Sequence, residues 1–341
     1  MTKLQISVFL IFLSFSAYSQ ETGDDAKAYL NKGHDKRESG DYYGAIKDYN
    51  KAIELNPDDA WSYLHRGSAK GDLGDYYDAI KDFNKAIELN PDAGIAYDSR
   101  GITKEKLEDY YGAINDYNKA IELNPDDASA YYHRGNAKNN LKDYYGAIKD
   151  YNKAIELKPD DAVVYISRGV VKDDLGDHYG AIKDYNKAIE LSPDNAGIYY
   201  NRGNAKSNLG YHYEAIQDYN KAIELKPDFA EAYHNRGIAK GDLGDYYGAI
   251  KDLNKAIELN PDYADAYYNR GVAKGDLGDY KGEIQDYNKA IELKPDYAKA
   301  YYNRGGVKYK LSDKTGACLD WSKAGELGYY EAYKVIKQFC N

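Results

Sequence analysis

Residues 60–93 read AWSYLHRGSAKGDLGDYYDAIKDFNKAIELNPDA. Two stripes recur at helical spacing, Tyr63, Gly67, Lys70 and Leu73 in the first half, then Ala79, Ile80, Phe83, Ala86 and Ile87. Steps of three and four residues put each stripe on one face of a helix. Asp75 stands where an N-cap would precede the second helix. Pro91 stops that helix, and Asp92 follows it as a cap for the next. The stretch predicts a helical hairpin.

All eight prolines, from Pro57 to Pro295, are spaced 34 residues apart, so the hairpin recurs along the chain. With each unit numbered from its first residue, nine units start at Ala26, Ala60, Gly94, Ala128, Ala162, Ala196, Ala230, Ala264 and Ala298 and cover 26–331. Place 4 is tyrosine in every unit, from Tyr29 to Tyr301; place 8 is glycine, from Gly33 to Gly305; place 27 is alanine, from Ala52 to Ala324. Place 20 is alanine except at Glu283, and place 24 is aromatic except at Leu253. Small residues at 8, 20 and 27 let helix backbones approach, and the larger side chains fill the gaps between them.

In these places the sequence resembles the tetratricopeptide repeat family. The resemblance implies an all-α fold, a right-handed α-solenoid whose first helices line a concave groove. The stretch 321–328, WSKAGELG, looks like the related Sel1-like repeat. Residues 332–341 form a C-terminal capping segment, with a polar helix expected from Glu331 to Phe339. Place 7 is arginine in units two to nine and place 23 is aspartate throughout, so one ion pair per unit is expected, as between Arg168 and Asp184. The tyrosines of places 4, 17, 18 and 24 are assigned to the repeat framework, those of place 18 running from Tyr43 to Tyr247.

The N-terminus is different. One cation, Lys3, precedes an apolar run from Ile6 to Phe15, and Ala17 and Ser19 follow. This is the layout of a cleavable signal over 1–19, with a short linker at 20–25. The run is shorter than the ~20 apolar residues that span a bilayer, so no stable membrane insertion is expected once the signal is removed. The mature chain is expected to be secreted or periplasmic, with a membrane anchor over the apolar run as the less favoured alternative. Cys318 and Cys340 then form an even pair in an oxidising compartment, which suggests a disulfide.

With 46 Lys and Arg against 56 Asp and Glu, the net charge is −10, which argues against nucleic acid. The six histidines show no metal spacing, and no nucleophile or phosphate-loop motif occurs, so no catalysis, cofactor or metal is expected. His178 and His212 take the place-17 position of tyrosine and read as packing residues. By resemblance the variable places 2, 5, 6, 9, 12 and 13 face the groove. Place 5 is tyrosine at Tyr132, Tyr200, Tyr268 and Tyr302, and place 6 is asparagine at Asn201, Asn235, Asn269 and Asn303. Asn136 and Asn204 occupy place 9. Family members with an asparagine ladder use it to hold peptide backbone amides, so an extended protein or peptide partner is expected. A glycan or cell-wall polymer is the alternative, since Tyr and Asn also suit sugar faces and hydroxyls. The family's carboxylate clamp needs lysines at place 5, and none is present.

Overall fold

The computed structural model describes residues 24–340, and all secondary structure among them is helical. The signal expected over 1–19 lies outside the described residues. The first helices of the units are α1 (24–38), α3 (Ala60–Asp72), α5 (Gly94–Lys106), α7 (Ala128–Asn140), α9 (Ala162–Asp174), α11 (Ala196–Asn208), α13 (Ala230–Asp242), α15 (Ala264–Asp276) and α17 (Ala298–Lys310). The second helices are α2 (Tyr42–Leu55), α4 (Tyr76–Leu89), α6 (Tyr110–Leu123), α8 (Tyr144–Leu157), α10 (His178–Leu191), α12 (His212–Leu225), α14 (Tyr246–Leu259), α16 (Tyr280–Leu293) and α18 (Lys314–Glu326), and α19 (Glu331–Phe339) closes the chain. Residues 24 and 25 of the expected 20–25 linker are helical. No helix among the described residues is long and apolar enough to cross a membrane.

The chain forms two compact units, one ending at Val171 and one beginning at Lys172. Within each, helices stack in chain order, and first helices of consecutive repeats also touch: α3 with α5 and α5 with α7 in the first unit, α11 with α13 and α13 with α15 in the second. The core is made of small residues and rings. The alanines of places 20 and 27 are fully buried, as are Tyr49, Tyr117, Tyr151, Tyr185, Tyr219 and Tyr287 at place 24. The rings of Tyr49, Tyr117, Tyr151, Tyr219 and Tyr287 each lie against the place-8 glycine of their own hairpin. A Cβ on Gly101 would come within 2.6 Å of the Tyr117 ring. The glycine is therefore a seat for the ring.

Caps follow local sequence closely. Asp41, Asp109, Asp143, Asp177, Asp245, Asp279 and Asp313 each accept a hydrogen bond from the backbone N–H three residues on, and that residue is glycine in every case. A Cβ there would overlap the capping carboxylate. Asp75 precedes α4 as expected, but its side chain makes no cap bond. The residue three on is Asp78, which has the Cβ that the other caps avoid. Asp92 is not the cap of α5 either; the helix starts at Gly94, the cap position falls on Ala93, and Asp92 lies in the turn before it.

The place-18 tyrosines depart from expectation. Tyr43, Tyr77, Tyr111, Tyr145, Tyr179, Tyr213 and Tyr247 are 64–79% exposed, so they are surface residues rather than framework. They sit at the second position of each second helix, where the side chain points off the packed stripe. The terminal helix also differs from a purely polar cap. Ala332 is buried, and Val335, Ile336 and Phe339 pack against the cluster it forms with Ala317, Trp321 and Ala324. The Sγ atoms of Cys318 and Cys340 are bonded, with their Cα atoms 5.8 Å apart, tying α19 to α18.

Candidate functional site

The ionic lattice comes first because it fixes the first helices on the second. In both compact units arginines of place 7 grip the place-23 aspartate of the same repeat with two hydrogen bonds. Arg134 donates from Nε and Nη2 to Asp150 at 2.9 and 2.6 Å, and Arg236 does the same to Asp252 at 2.8 and 2.6 Å. The spacing-based expectation missed two members. Lys138 and Lys240, at place 11, also reach those aspartates at 2.7 Å. The remaining guanidinium nitrogen crosses to the preceding repeat, Arg134 to Asn118 at 2.7 Å and Arg236 to Asn220 at 2.6 Å. A guanidinium forks in a plane, so one side chain can serve a carboxylate and an amide together. Each arginine also lies over its place-4 tyrosine ring, Arg236 at 5.3 Å from Tyr233. Arg168 donates to Asn152 at 2.6 Å and covers the Tyr165 ring at 5.5 Å, while Asp184 is buried and receives Lys172 at 2.8 Å. Those two residues fall in different compact units, and their pairing stands as a sequence expectation. A lattice of this kind fixes helix register and inter-repeat spacing, with little demand for net stabilisation.

The tyrosines and asparagines of places 5, 6 and 9 are half-buried on the first helices. In the first unit Tyr132 leans on the His133 and Tyr151 rings, and Asn136 accepts the buried Tyr151 hydroxyl at 2.8 Å. In the second unit a hydrogen-bond chain runs from α12 to α15. The Tyr219 hydroxyl donates to Asn204 Oδ1 at 2.9 Å, and Asn235 Nδ2 donates to the same oxygen at 2.8 Å and to the Tyr200 hydroxyl at 3.1 Å. Asn235 Oδ1 lies 3.0 Å from His234 Nδ1, and Asn269 Nδ2 lies 2.9 Å from His234 Nε2. With Asn269 donating to Nε2, the imidazole proton is on Nδ1 and points to Asn235; this tautomer is assigned from the network. Burial holds the His234 pKa below its ordinary value, which keeps the ring neutral and able to accept. Asn303 Nδ2 donates to the Tyr268 hydroxyl at 2.9 Å. Asn201 is half-buried on α11.

Asn235, Asn269 and Asn303 therefore make contacts between repeats. Both donor hydrogens of Asn235 are taken by protein groups, so that side chain has no N–H left to hold a ligand's backbone carbonyl. His234 was missed by the sequence reading although it holds place 5, where four other units have tyrosine. Rings at place 5 keep one face packed: Tyr200 against Phe229 at 4.9 Å, Tyr268 against Tyr297 at 5.0 Å, Tyr302 against Tyr329 at 4.7 Å.

What the face does offer is a series of clefts between consecutive first helices. In the second unit one of about 400 Å³ is lined by Asp173, Asn204, Asn208 and Asn235. One of about 300 Å³ is lined by Asp242, Tyr246, Asn269 and Asp276, and one of about 350 Å³ by Asp276, Glu283, Tyr302 and Asn303. Each of these three clefts is lined by both a carboxylate and a tyrosine. The first unit has a cleft of about 230 Å³ beside Arg37, Asp72, Thr103 and Lys106. No cluster of three or more His, Cys, Asp or Glu side chains that could hold a metal occurs among the described residues.

Residues 33–73, 106–142, 174–210, 212–244, 240–278 and 275–312 match the family described as TPR repeat, and 60–93 and 128–161 match Tetratricopeptide repeat. No curated protein matches the chain. Among solved structures, a tetratricopeptide repeat protein from Parabacteroides merdae is 21% identical with a TM-score of 0.54, covering 77% of this chain and all of its own. The Cut9–Hcn1 hetero-tetramer of the APC/C gives a TM-score of 0.57 at 15% identity, over 93% of this chain and 76% of that one. YrrB, described as a TPR protein with an unusual peptide-binding site, is 27% identical with a TM-score of 0.49 over 54% of this chain and 95% of its own.

Proposed function

Since the chain belongs to the tetratricopeptide repeat family, we propose that this protein-interaction scaffold holds an extended polypeptide along its first-helix face, without catalysis and outside the cytoplasm. The observation that carries the reading is the succession of clefts in the second unit, each walled by tyrosine or asparagine and by a carboxylate. A polypeptide laid across consecutive helices would drop alternate side chains into such clefts, and carboxylates at Asp242, Asp276 and Glu283 select basic ones. Support for export comes from the apolar run before Ser19 and from the Cys318–Cys340 bond, since disulfides persist in oxidising compartments.

The test is a peptide array, with cell-wall glycans on the same slide, probed with the exported chain. Basic extended peptides should be retained, and the double variant Asp242→Asn, Asp276→Asn should lose them several-fold at unchanged helix content. Both carboxylates are exposed, so the fold does not depend on them. Retention of glycans alone would refute the polypeptide reading, and a mature chain that still began at Met1 would refute cleavage.

A further inference from the structure

Place 20 is alanine in eight repeats because the second helix packs there against the first. Glu283 alone breaks the pattern. Its side chain is only 7% exposed, and Tyr287 donates to Oε1 at 2.9 Å. The carboxylate lies over Gly275, where any Cβ would overlap it. Gly275 and Glu283 therefore fit as a pair. The carboxylate forms the floor of the cleft of about 350 Å³ between α15 and α17.

Burying a carboxylate without a cation is unfavourable, and here burial raises its pKa. The groups that face it do not remove the cost. Lys274 is engaged with Asp286 at 2.7 Å, and Asp276 and Asp279 add negative charge. Lys310, exposed on the rim with its ammonium over the Tyr280 ring at 4.3 Å, offsets the burial only in part, since the net shift is still upward. An ammonium thus already finds a good surface at the mouth of the cleft, while the floor remains anionic. Opposite, Gly306 has open space where a side chain would project, so the entrance is wide. The walls are the Tyr302 ring and the Trp321 indole.

We propose that this cleft receives a lysine side chain of the bound polypeptide, its ammonium on the Glu283 carboxylate and its methylenes along the Tyr302 ring. The chemistry selects an unbranched alkyl chain ending in a cation. Aromatic walls suit the methylenes and attract the charge through their faces, and a buried carboxylate gives a charge-assisted hydrogen bond. The identification of the polypeptide as the source rests on the function proposed above; the cleft itself does not.

The probe is Nα-acetyl-lysine methylamide, with its Nε-acetylated form as the neutral control. It is titrated into the full chain carrying Trp61→Phe, so that Trp321 is the one indole reporting, and checked by calorimetry. A saturable response is expected, with the neutral form at least about tenfold weaker because it lacks the charge-assisted bond. Glu283→Ala installs the residue found at this place in the other repeats. It should abolish the response while the melting temperature stays level or rises, which separates lost recognition from lost fold. Equal responses to both probes, an unchanged response in Glu283→Ala, or no saturable uptake by either method would each overturn the proposal. Uptake of the probe by a chain that retains no peptide on the array would support the cleft and sink the groove reading.

Discussion

Asp98 sets up a pH-dependent strain in the first unit whose size follows from its surroundings. It holds place 5 of the third repeat, and its Oδ1 is inaccessible and has no hydrogen-bond partner. Burial, with Asp127 and Glu105 nearby, pushes its pKa from 3.8 up to about 7. From 3.8 to about 7 is roughly a thousandfold gain in proton affinity on folding, or ~4 kcal/mol at full ionisation. The folded state binds the proton more tightly than the unfolded chain. Stability therefore falls as pH rises from about 4 through about 7 and levels off above. Side-chain relaxation and water entry reduce such costs, so about half, ~2 kcal/mol, is the working figure. Asp98→Asn keeps the shape and removes the charge. The variant should melt about 4–8 °C above the parent at pH 8, and the gap should close below about pH 4. Circular dichroism melts of both proteins across pH 4–8 give the comparison, in which other titrating groups cancel. A gap that does not change with pH, or a variant less stable at pH 8, would refute the reasoning.

Two further outcomes follow from the lattice and the C-terminus. Arg236→Leu removes both bonds to Asp252 and the link to Asn220, leaving a buried carboxylate with Lys240 alone; a loss of about 3 kcal/mol is expected by denaturant melts, and an unchanged midpoint would show the arginine to be dispensable. Reducing the Cys318–Cys340 bond opens a 22-residue separation and should lower stability by about 3 kcal/mol in the chain-entropy picture, read as faster amide exchange in Glu331–Phe339; equal exchange with and without reductant would count against it.

The candidate site was only partly legible. Place 5 and 6 residues were correctly put on the first helices, but their availability was not. Whether Asn235 faces solvent or Tyr200 depends on a neighbour 35 residues away, and a side chain's hydrogen-bond partner across repeats leaves no mark in a helical period. The same applies to Asn118 and Asn220, which look like solvated residues in sequence and act as acceptors for the next repeat's arginine. Glu283 was visible as an exception at place 20, yet only the position of Gly275 beneath its carboxylate showed how the exception is accommodated.

What the sequence determined by itself was the hairpin that recurs every 34 residues. Its two helices, the small residues where they approach, and the Arg–Asp pairing type depend on contacts between nearby residues, and those contacts recur with the residues that make them. What only the tertiary structure decided was exposure and inter-repeat partnership. Tyr144 and Tyr145 are adjacent and identical, yet one is half-buried and the other 79% exposed. The difference is about 100° around the helix axis, and it is the next helix in the stack that makes one face an interior and the other a surface.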